Sequence, residues 1–144
     1  MIWYPYQTVA EDPKVPLAPV LQVTLLNPKQ NDNRTYELNA ILDTGADGTL
    51  IPLEVVSVLR LKLQAERVPI TGVGGALTMG FSCWVNLQIG AIEVPLVKVA
   101  SCEATAIGGQ GQMIIGRDIL NLFCMTFDGK QQRFSFESES VQTF

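Results

Sequence analysis

Apolar and polar residues alternate along much of this chain, and the alternation predicts strands. Tyr36, Leu38, Ala40 and Leu42 fall on one face of an extended segment, and Val20 to Leu25 forms a second apolar run ahead of it. Between them lies Asn27-Pro28-Lys29-Gln30-Asn31-Asp32-Asn33, a turn-rich stretch, so the two runs read as a hairpin. A longer alternation spans Leu77 to Ile89, with Phe81, Cys83, Val85, Leu87 and Ile89 on one face and Ser82, Trp84, Asn86 and Gln88 on the other. Together with Val68 to Val73 it predicts a long antiparallel hairpin whose tip is Gly72-Val73-Gly74-Gly75. Ile92 to Val99 is a further strand, and Ser101 to Gln112 a glycine-containing loop. Met113-Ile114-Ile115 is a brief buried strand, and Phe123 to Phe127 and Arg133 to Glu137 flank an Asp128-Gly129 turn.

The spacing becomes helical in two places. After Pro52, read as the first helical position, apolar Val55, Val56, Leu59 and Leu63 recur at roughly helical intervals. Arg117 to Leu122 fits a helix of little more than one turn. Residues 1–16, with Pro5, Pro13 and Pro16, read as an extended arm, and residues 17–144 as a single domain. The predicted class is mainly β and barrel-like, with one or two short helices.

Composition narrows the function. A net charge of −4 and ten scattered Lys and Arg residues argue against nucleic acid. No segment approaches the ~20 apolar residues of a membrane span, and the first residues carry neither a positive leader nor an apolar block. A soluble, cytoplasmic protein is expected. Cys83, Cys102 and Cys124 are odd in number and widely spaced, which indicates neither a disulfide framework nor a zinc site. Histidine is absent altogether, which removes Ser-His-Asp and Cys-His catalysis and the commonest metal ligand. Acid-base chemistry here falls to carboxylates, and no metal or other cofactor is expected.

One carboxylate stands out. In Ala40-Ile41-Leu42-Asp43-Thr44-Gly45-Ala46-Asp47 an apolar strand runs directly into Asp43 and turns at once on a glycine. A carboxylate against an apolar wall is costly unless it is hydrogen-bonded, paired or able to hold a proton. Later in the chain stands Ile114-Ile115-Gly116-Arg117-Asp118, entering the second short helix. The Asp-Thr-Gly-Ala-Asp corner, the glycine-tipped hairpin and the Ile-Ile-Gly-Arg-Asp segment, in that order between about Val20 and Leu122, resemble the retropepsin-like aspartic proteases.

The resemblance implies a mainly β retropepsin-like half-barrel and an endopeptidase that hydrolyses peptide bonds with two aspartates. The physical requirement agrees: one ionised carboxylate takes a proton from the attacking water while its protonated partner gives one to the carbonyl oxygen. This sequence has one Asp-Thr-Gly corner. The second aspartate is therefore expected from a second copy of the chain, in a homodimer acting on polypeptide substrates.

By the same resemblance Asp43 is catalytic, supported by Thr44 and Gly45. Asp47 is expected to bind the substrate main chain and to pair with Arg117, and Gly116 to let the second helix pack closely on the strand bearing Asp43. Gly72, Val73, Gly74 and Gly75 are expected to form a flap over the substrate. Ala46 stands where two-lobed relatives commonly carry Ser or Thr. It has no hydroxyl to stabilise the ionised pair, so a mildly acidic to neutral optimum is expected. Relatives of retroviral type end soon after the helix and interleave their terminal strands, whereas here residues 121–144 follow with their own hairpin. The alternative reading is a catalytically silent dimeric peptide-binding or scaffolding module of the same fold.

Overall fold

Leu21, Val23 and Leu25 of β2 (Val20–Leu26) and Leu38, Ala40 and Leu42 of β3 (Thr35–Leu42) point the same way, and the two strands pair antiparallel to bury them. The computed structural model that shows this describes residues 2–71, 77–107 and 112–138. Ahead of the hairpin lies β1 (Tyr4–Pro5), and after it come β4 (Leu50–Pro52) and α1 (Leu53–Leu59). The chain continues through β5 (Arg67–Thr71), β6 (Leu77–Ile89), β7 (Ile92–Cys102), a 3-10 turn at Ala104–Ile107, β8 (Met113–Ile115) and α2 (Arg117–Leu120). It closes with β9 (Phe123–Asp128) and β10 (Arg133–Ser138).

Seven strands form one sheet in the order β2-β3-β8-β4-β7-β6-β5, and a further pairing of β2 with β6 curls it shut. The expected mainly β, barrel-like fold is present, with β5 standing outside the closure as the outer arm of the β5–β6 hairpin. Leu25, Ile51, Leu59, Leu87, Met113 and Ile115 fill the interior, each almost fully buried. Burial of each such side chain contributes about 1.5–3 kcal/mol.

Several boundaries differ from the sequence reading, each for a tertiary reason. Pro52 caps α1 from an extended conformation and is not its first helical residue. The helix stops at Arg60, whose φ of 51° is left-handed, and the Asn27 side-chain amide donates to the carbonyls of Leu59 and Arg60. Leu63 therefore lies beyond the helix and is exposed. β7 runs on to Cys102, where a loop was expected, because Leu50, Ile51 and Pro52 pair with Ala100, Ser101 and Cys102. On β6, Ser82 is buried and Phe81 only half-buried, so the alternation breaks where the strand passes β7 near Gly80. A Cβ on Gly80 would lie 2.6 Å from the Ser101 carbonyl oxygen, closer than any side chain tolerates.

The arm also takes part in the fold. β1 pairs with β10, and β10 with β9, making a separate three-stranded sheet. Tyr4 stacks on Phe134 and Phe136 at 5.4 Å each, and Phe123 meets Phe136 edge-on at 5.6 Å. Among the described residues no helix is long and apolar enough to cross a membrane.

Phe134 is fully buried at the centre of this aromatic cluster. Phe134→Ala is expected to lower the free energy of unfolding by about 3–5 kcal/mol in a denaturant titration. A loss under about 1 kcal/mol would show that the terminal sheet is not part of the cooperative core.

Candidate active site

The two motifs separated in sequence come together because β3 and β8 pair in parallel: Ala40 with Met113, Ile41 with Ile114, Leu42 with Ile115. Both strands end at the same level, so Asp43 and Gly116 emerge side by side. The Asp43 amide donates to the Ile115 carbonyl at 2.9 Å, which extends the ladder one step past the strand. The Ala46 amide then reaches back to the Asp43 carbonyl at 3.2 Å, closing a tight turn.

The turn holds the carboxylate. Asp43 is half-buried, and its Oδ1 accepts the Gly45 amide at 2.9 Å. A Cβ on Gly45 would lie 3.1 Å from that same oxygen, so glycine is what permits the close approach. Thr44 is exposed beside it.

A second layer fixes the turn from below. Thr49 is almost fully buried; its hydroxyl donates to Asp118 Oδ1 at 2.7 Å and accepts the Gly116 amide at 3.1 Å. Its own amide donates to Asp118 Oδ2 at 3.1 Å. One threonine thus ties the loop after Asp43 to both sides of the start of α2. Gly116 packs against that loop, not against the strand bearing Asp43: a Cβ there would sit 2.5 Å from the Gly48 carbonyl oxygen and 2.9 Å from that of Ala46.

Arg117 differs from its expected role. Its Nη1 donates to the Thr44 carbonyl at 2.7 Å and its backbone amide to the Ala46 carbonyl at 2.8 Å. Among the described residues no ion pair joins it to Asp47. The guanidinium is spent on the backbone of the turn, so it holds the loop to the helix without a carboxylate partner. Asp47 is exposed and faces a cleft.

That cleft, of about 610 Å³, is lined by residues 45–50 of the loop, 68–71 of β5, Ser82 of β6, 98–100 of β7, and Arg117 and Asp118. It begins at Gly45, two residues beyond Asp43. Val68 and Ile70 give it an apolar wall, and Asp47 and Lys98 its charged rim. The flap residues Gly72, Val73, Gly74 and Gly75 lie outside the described residues; the hairpin leading to them is paired as far as Thr71 with Leu77.

Sequence reasoning missed Thr49 and gave Asp118 no role of its own. A threonine inside the apolar run Gly48-Thr49-Leu50-Ile51 was the available signal, since a buried hydroxyl requires a partner.

The sequence and the fold are similar to those of known proteins. A family described as aspartyl protease matches residues 27–119. The fold is similar to that of the EIAV protease, solved in complex with the inhibitor HBY-793, with a TM-score of 0.50 and 22% identity over 78% of this chain and 92% of that one. No curated protein matches the sequence.

Two substitutions test the lower layer. Thr49→Val leaves the buried Gly116 amide without its acceptor and takes one of three donors from the Asp118 carboxylate, which keeps the amides of residues 49 and 119, and is expected to cost about 1–3 kcal/mol of stability. Gly116→Ala is expected to cost about as much through overpacking. Unfolding midpoints unchanged in both would contradict the clamp.

Proposed function

We propose, from the premise that this chain belongs to the aspartyl protease family, that it is an endopeptidase whose catalytic pair consists of Asp43 from each of two identical chains. The observation that carries this reading is the single Asp-Thr-Gly turn, held at the paired ends of β3 and β8 beside an open cleft. Aspartic proteolysis needs two carboxylates of differing protonation, and a two-fold axis supplies the second from an identical turn.

The chemistry is then shared. One Asp43 carboxylate, ionised, accepts a proton from water as the water attacks the scissile carbonyl carbon. The other, protonated, donates to the carbonyl oxygen, giving a tetrahedral intermediate; proton return to the amine nitrogen releases the two fragments. Gly45 positions each carboxylate, and in this reading Thr44, which is exposed, meets its counterpart across the axis. Asp47 and the glycine-rich segment 72–75 bind the substrate main chain, and Val68 and Ile70 favour apolar side chains beside the scissile bond. The substrate is a polypeptide in extended conformation. Residues 17–144 act as one catalytic domain, and the free, buried thiols of Cys83 and Cys102 suit the reducing cytoplasm.

Asp43→Asn is expected to abolish cleavage of an unfolded protein substrate while leaving the fold and peptide binding in place, and a statine-type hydroxyl mimic is expected to inhibit the wild type. Full cleavage by Asp43→Asn would overturn the assignment. Failure of the wild type to cleave at any pH from acid to neutral would favour a silent peptide-binding module.

Ala46 offers a pH test. A hydroxyl donating to the ionised pair favours the charged form, so the basic member stays competent to lower pH. Ala46→Ser is expected to move the acid limb of the rate profile to lower pH. An upward shift, or a wild-type profile peaking only well below about pH 4, would contradict this account.

A further inference from the structure

We infer that Lys98 and Ser82 form a subsite for a carboxylate side chain of the substrate, so that cleavage selects Asp or Glu at a fixed distance from the scissile bond. The inference rests on the endopeptidase reading of the cleft and says what the cleft selects.

Strand register puts the two residues on one face. Ser82 of β6 stands opposite Ala100 of β7, and Trp84 opposite Lys98, so these four side chains project to the same side of the sheet. Cys83 and Val99, paired between them, belong to the core on the other side. β5 extends the first face, since Val68 pairs with Gly80 and Ile70 with Thr78. Val68, Ile70, Ser82, Lys98 and Ala100 all line the cleft.

Ser82 brings a spare donor. It is 2% exposed, and among the described residues its hydroxyl has no hydrogen-bond partner. Buried hydroxyls are normally satisfied, and one without a partner in a cleft wall is free to bind what enters the cleft. The Ser135 hydroxyl is also without a partner, but it lies on β10, outside the cleft lining.

Lys98 brings the charge. Two cations line the cleft among the described residues, and Arg117 is engaged with the Thr44 carbonyl at 2.7 Å. Lys98 is held by Glu66 at 3.7 Å, with half of its own side chain and most of that of Glu66 exposed. So long and solvated a pair is weak, and another carboxylate exchanges with it at little cost. Ala100 and Gly80 are small, so no large side chain from those positions fills the space beside Ser82. A carboxylate entering there meets an ammonium and a hydroxyl donor together, whereas a basic side chain meets a like charge. In an unmodified polypeptide that carboxylate is Asp or Glu. Two identical chains supply two such subsites, so the selection recurs on both sides of the scissile bond.

The test is cleavage of a library of peptides from denatured proteins, with the cut sites read by mass spectrometry. For the wild type, Asp or Glu is expected to be enriched about five- to tenfold at one fixed position on each side of the cut. Lys98→Glu is expected to turn that preference toward Lys and Arg, Lys98→Arg to keep it, and Ser82→Ala to weaken it. Glu66→Gln, by freeing Lys98, is expected to sharpen it, a gain that a merely structural ion pair does not predict. Retention of uncut library peptides by Asp43→Asn protein reads the same selection without catalysis. Cleavage without acidic selection, or a Lys98→Glu preference like that of the wild type, would overturn the subsite. Acid-selective binding by Asp43→Asn protein with no cleavage by the wild type would uphold the subsite and overturn the endopeptidase reading. Neither cleavage nor acid-selective binding would overturn both.

Discussion

The structure depends on the parallel pairing of β3 with β8, reinforced by the Thr49 hydroxyl between Gly116 and Asp118. Parallel neighbours need a long crossover, and here the whole β4–β7 region serves as one. The pairing brings the ends of two strands to one level, which no local contact would do. From it follow the tight turn at Asp43, the close approach of Gly116 to the loop backbone, and the use of Arg117 on the Thr44 carbonyl. The clamp joins the buried Thr49 hydroxyl and the buried Gly116 amide to the exposed Asp118 carboxylate, so losing the hydroxyl breaks two hydrogen bonds at once.

Most of the fold was legible in the sequence because alternation is a property of a half-buried strand. β2, β3 and the β9–β10 hairpin follow it closely, as does β6 from Cys83 to Ile89, and the turn residues between them mark their ends. What was not legible was set by partners far away in sequence. β4 is three residues long and exists because β7 and β8 lie beside it. α1 ends early because Arg60 takes a left-handed conformation and Asn27, from another turn, satisfies its last carbonyls. The arm's first strand depends on β10, at the opposite end of the chain.

The site divides in the same way. Asp43, Thr44 and Gly45 were legible as a turn motif, and the Ile-Ile-Gly-Arg-Asp segment as its companion, since both are local patterns. Their contacts were not. The expected Asp47–Arg117 pair gives way to a backbone contact at 2.7 Å, because the Thr44 carbonyl stands nearer the guanidinium than any carboxylate among the described residues. Thr49 escaped notice because its importance lies in burial, and burial is a tertiary fact. Asp118, at the start of a four-residue helix, reads alone as a solvated helix start and is instead the acceptor that holds the loop.

One carboxylate turn per chain leaves each molecule with half of a catalytic pair, and a mixing experiment tests that most directly. Asp43→Asn protein is titrated into a fixed amount of wild type under conditions where chains exchange freely and dimers dominate. If every working site needs Asp43 from both chains, random pairing draws wild-type chains into dead heterodimers, and total activity falls in proportion to the wild-type fraction. About half then remains at equal amounts and about one tenth at a ninefold excess. Activity that stays constant as the variant is added would show that a single chain carries a complete site and would contradict the account.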